Sequence, residues 1–128
     1  MITLKYSDDF PFKEKIIGGY KRQSIRSDNS SRAIASLGNH DVGTTIKHRT
    51  GKKDSDIFMT TVCRGVDRII IEPRGRVLVG KPATTPRLLS LAEKEALARA
   101  DGFASFKEFY DFFEERYPLP LIGKIIYW

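Results

Sequence analysis

The chain has 128 residues, 41% of them hydrophobic and 30% charged, with a single cysteine and a net charge of +6. That is one ordinary globular domain with enough apolar content for its own core, which excludes a disordered chain, an intrachain disulfide scaffold and a membrane-spanning segment. The basic excess lies before Leu88 and the remainder is slightly acidic, a balance that points to an anionic partner such as nucleic acid or a nucleotide, or else only to a well-solvated surface.

The N-terminal residues Met1 to Asp9 lack the apolar core of a signal peptide, so a cytoplasmic location is expected. Pro11 is suited to a first helical turn, and Phe12, Ile16 and Ile17 keep helical spacing up to Gly18-Gly19, where a glycine stop is expected. A short strand follows at Gln23 to Arg26. Residues 27–41 are polar and turn-rich and read as a mobile insertion loop, with a brief helical turn over Arg32 to Leu37. The middle is β-rich. Strands are expected at Val42–His48, Ile57–Arg64 and Val66–Glu72, with Gly65 as a bend. A hairpin through Pro73-Arg74-Gly75 leads into Arg76–Gly80. Cys63 lies in an apolar run with nothing to lower its pKa, and reads as buried and inert.

Two helices come next. Ser90 with Glu93 and Ser105 with Glu108 are both spaced as capping boxes. The first helix stops at Asp101-Gly102. In the second, Phe106, Phe109, Tyr110 and Phe113 form one buried stripe. Gly123 to Trp128 reads as a closing strand. This order suggests an α+β domain, a small mixed β-barrel with flanking helices.

The densest polar cluster is Lys21, Gln23, Ser24 and Arg26. In an extended strand Ser24 and Arg26 share a face. A lysine beside a hydroxyl can act as its base if burial or nearby positive charge lowers the lysine's pKa. The same residues equally describe a basic strand that binds phosphate without chemistry. His40 and His48, with Asp41 and Asp54, show no short metal-ligand spacing and read as structural or solvated. Lys47, Arg49, Lys52 and Lys53 form a basic tip, either solvated or steering RNA phosphates, and Trp128 reads as packing or a stacking platform.

The octapeptide Gly19-Tyr20-Lys21-Arg22-Gln23-Ser24-Ile25-Arg26 resembles the Gly-x-Lys-x-x-Thr/Ser-x-Arg signature of ASCH domains. Asp101-Gly102-Phe103, followed by Ser105-Phe106-Lys107-Glu108-Phe109, resembles their second hallmark, and Gly123 to Trp128 their last strand. The resemblance spans most of the chain outside 27–41. It implies a single PUA-like barrel over residues 1–128 that binds RNA or a modified nucleoside or nucleotide, without cofactor or metal. Some such proteins are amidohydrolases that deacetylate N(4)-acetylcytidine, and others are described as ribonucleases. The resemblance therefore implies Lys21, Ser24 and Asp101 as catalytic residues and Gly19, Gln23 and Arg26 as substrate-binding. Here Ser24 stands for the usual threonine, and Asp101 for a glutamate that is one methylene longer.

Overall fold

The computed structural model describes residues 1–128. In chain order its elements are β1 (Ile2–Lys5), α1 (Phe12–Ile17), β2 (Gln23–Ser27), α2 (Arg32–Ala35), β3 (Thr45–Arg49), β4 (Ile57–Val62), β5 (Gly65–Ile71), β6 (Val77–Gly80), β7 (Arg87–Leu88), α3 (Leu91–Ala100), α4 (Phe106–Arg116) and β8 (Leu121–Tyr127). The α+β class expected from the sequence is present. None of the helices is long and apolar enough to cross a membrane.

The strands do not close into one barrel. They form a three-stranded sheet, β1-β3-β4, and a five-stranded sheet, β2-β8-β5-β6-β7. The division falls at Cys63-Arg64, where β4 leaves the small sheet and the chain enters β5. Three backbone bonds hold that corner: Arg64 donates to the Tyr127 carbonyl at 2.9 Å, Cys63 to that of Thr44 at 2.8 Å, and Gly43 to that of Cys63 at 2.8 Å. Most pairings are antiparallel, but β1 runs parallel to β3, aligning Leu4 with His48. The register between β3 and β4 slips after His48. Such a bulge re-aims the side chains around it.

The core lies between the sheets and the α3–α4 pair. Leu4, Ile46, Val66, Ile69, Ile71, Ile125 and Ile126 supply the sheet side, and Phe109 and Phe113 the helical stripe. Ile17 departs from the expectation and is exposed, leaving Phe12 and Ile16 as the buried face of α1. The 27–41 segment is stitched to the core through Ile34 and Leu37, and Ser31 caps α2 by accepting from the Ile34 amide at 3.1 Å. Ser90 and Glu93 form the full reciprocal box at α3. At α4 only half of it forms: Ser105 accepts from the Glu108 amide. The next amide, of Phe106, donates to the Glu95 carboxylate at 3.1 Å.

Candidate functional site

Two glycine turns build the site. Gly19 has φ +80°, a left-handed conformation that lets the chain leave α1 sharply. The turn is then tied to the opposite one. Arg22 donates its amide to the Ala100 carbonyl at 2.9 Å, and the Lys15 ammonium donates to the Gly102 carbonyl. Gly102 has φ +95°, and a Cβ there would stand 3.2 Å from the Lys21 side chain. Its missing side chain is the space through which Lys21 runs.

Lys21 is 3% exposed and points at the end of α3. Its ammonium donates to the Asp101 backbone carbonyl at 2.8 Å and to the Asp101 carboxylate at 3.2 Å. It also lies 4.8 Å from the centre of the Phe12 ring. Burial pushes the Lys21 ammonium below its usual range, against the attraction of Asp101, and pushes the Asp101 carboxyl above its own. Each is thus held nearer its neutral form than it would be in water, which is what a proton-transfer group near neutral pH requires. Gln23 is buried beside the pair, and its amide donates to the Leu97 carbonyl at 3.5 Å.

Beside the pair, β2 presents Ser24 and Arg26 on one face. The Arg26 Nε donates to the Ser24 hydroxyl at 3.0 Å. No hydrogen bond joins Lys21 to Ser24: the lysine is turned to Asp101 and the serine to Arg26. Lys21, Ser24, Arg26 and Asp101 all line one cavity of about 170 Å³. Phe12, Phe112, Phe113 and Tyr117 form its apolar walls. Gly19 lies elsewhere, in a shallow depression with Lys15, Tyr20 and Arg22. It shapes the turn rather than the cavity.

No protein-family model, curated protein or solved structure matches this chain.

Tyr6 and Arg116 join the site without any candidate role in the sequence, and His48 does so in a structural one. Tyr6, just beyond β1, lines the cavity, and its hydroxyl is 2.8 Å from the His48 Nδ1. Arg26 lies 5.1 Å from the Tyr6 ring centre. His48 is fully buried on β3, and its Nε2 is 2.7 Å from the Thr61 hydroxyl. Burial first, then the positive charges of Arg26 and Lys21, pull its pKa down to about 4, so it is neutral at pH 7. Trp128 packs edge-on against it at 4.5 Å. Arg116 of α4 reaches the cavity rim. The alternation of Ile2, Leu4 and Tyr6 is the sequence signal that places Tyr6 inward. Nothing local signals Arg116. The other histidine, His40, is exposed beside Asp41, and no group of three or more metal-ligating side chains is assembled.

Proposed function

We propose that the chain is an ASCH-type, PUA-like domain whose cavity binds a modified nucleoside and hydrolyses an acylated exocyclic amine, as in N(4)-acetylcytidine. The observation that carries this is the buried Lys21–Asp101 pair on the wall of an aromatic pocket that also holds a serine. Sites for drug-sized ligands run from about 300 to 1,000 Å³. A cavity of about 170 Å³ therefore suits one planar base or an acyl group, with the rest of the substrate outside.

The reaction is acyl transfer. Neutral Lys21 accepts the Ser24 proton while the serine oxygen bonds to the acetamide carbonyl carbon. The tetrahedral oxyanion is met by the Arg26 guanidinium. Lys21 returns the proton to the leaving amine as the C–N bond breaks, freeing cytidine and leaving acetyl-serine. Water, deprotonated by Lys21, then releases acetate and restores Ser24. Asp101 orients Lys21 throughout. This requires Ser24 to exchange its bond with Arg26 for one with Lys21 when substrate enters, since active-site bonds tighten in the complex.

The test is release of cytidine from N(4)-acetylcytidine by the wild-type chain, with Lys21→Ala and Ser24→Ala inactive. No turnover by the wild type on acylated cytidines rejects the enzymatic reading. The second reading, a binding module for RNA or a nucleotide, is favoured by one observation: Arg26, not Lys21, engages the serine. In that case Ser24→Ala binds ligand as well as the wild type.

A further inference from the structure

The charge inventory of the cavity does not match an uncharged ligand. Its walls carry four cations, Lys5, Lys21, Arg26 and Arg116, and one acid, Asp101. Lys21 and Asp101 compensate each other, whether both are charged or both neutral. Three positive charges are left, from three different elements: Lys5 from β1, Arg26 from β2 and Arg116 from α4.

None of the three is firmly neutralised. Lys5 and Arg26 make no ion pair, and Arg26 spends only its Nε, on a neutral serine. Arg116 has two acidic neighbours, Asp9 at 3.9 Å and Glu115 at 3.6 Å, both about three-quarters exposed. Exposed pairs that loose contribute little and yield to a better partner. Its guanidinium lies 4.1 Å from the ring centre of Phe112, with which it lines the cavity. The Lys5 ammonium and two guanidiniums around an opening are the recurring way to bind a phosphate group, and guanidinium can do so with two parallel hydrogen bonds.

We propose that the ligand carries a phosphate at the cavity mouth, so that its class is a pyrimidine nucleotide rather than an uncharged nucleoside. This rests on the base-in-pocket reading and narrows it. The base enters the cavity lined by Phe12 and the α4 aromatics, and the phosphate stays outside, where Lys5 and Arg116 reach it. A free monophosphate and a nucleotide within single-stranded RNA share this chemistry.

The experiment is calorimetric titration of the full chain with cytidine, cytidine 5′-monophosphate and a cytidine trinucleotide. The monophosphate is expected to bind about tenfold more tightly than cytidine. The advantage should shrink with added salt and vanish in Lys5→Gln/Arg116→Gln, two exposed positions whose melting curves verify the fold. Inorganic phosphate should compete with the monophosphate and not with cytidine. Still tighter binding of the trinucleotide assigns the phosphate to RNA, and equal binding assigns it to a free nucleotide. Equal affinity for cytidine and the monophosphate overturns the inference and leaves the nucleoside reading standing. Binding of neither overturns both. A clear preference for the monophosphate without hydrolysis of any acetylated form keeps the inference and rejects only the reaction.

Discussion

Glu93 and Asp101 sit at opposite ends of α3, each paired with a cation, and the two pairs behave in opposite ways. Glu93 is in water at the helix start. It takes two hydrogen bonds from Arg87, at 3.0 and 2.6 Å, and one from the Ser90 amide, and these hold its carboxyl down at about 2. Asp101 is closed over at the helix end, and burial drives its carboxyl upward despite the Lys21 ammonium. The chemistry of the partners is similar, and the solvent decides the outcome. A wet pair keeps its charges and fastens a cap, whereas burial pushes both members of a dry pair toward their neutral forms.

The largest effect that separates the two comes from removing one carboxylate. Asp101→Ala leaves the Lys21 ammonium buried without a counter-ion, a change that costs about 3–5 kcal/mol. A urea melt should show it, while Glu93→Ala should move the midpoint far less. Comparable losses at both positions would mean that burial does not distinguish them.

His48 extends the contrast with pH. Its folded pKa of about 4 lies below the ordinary 6.5, so the folded state binds its proton less readily than the unfolded chain. Stability from the neutral imidazole is complete above pH 6.5. It falls as pH drops through that window and is gone below about 4. The loss is on the order of 3 kcal/mol. Melts across this range should be steeper for the wild type than for His48→Gln, and parallel curves would reject the buried neutral histidine.

The smallest effect is that of salt. The Arg87–Glu93 pair is exposed and should weaken as ionic strength rises, so the stability difference between wild type and Glu93→Gln should narrow. The difference between wild type and Asp101→Ala should hold constant.

Much of this architecture is written locally. The serine at the start of α3 and the glycine at its end announce that helix, and the alternation over Gln23–Arg26 places Ser24 beside Arg26. What local pattern does not encode is partnership across the chain. Lys21 and Asp101 are brought together by two glycine turns tied by one backbone bond and the Lys15 side chain, and no spacing predicts that Lys21 faces the acid instead of the serine three residues on. β1 has only four residues and its partner is the distant β3, so its pairing has no neighbouring signal. β7, with two residues, exists because β6 offers it an edge. The sheets stay open where a barrel was expected because the chain turns at Cys63-Arg64, a corner that the apolar run through Cys63 conceals.

β8 lies between β2 and β5, and β2 has no other strand neighbour. The strand bearing Ser24 and Arg26 thus waits, during synthesis, for a partner made about a hundred residues later. Until Leu121–Tyr127 emerges, β2 and one side of β5 are bare edges, the kind that pair with whatever strand comes first. A nascent chain arrested before β8 would accordingly hold the segments of all four helices with both of these edges still open, the form most in need of a chaperone.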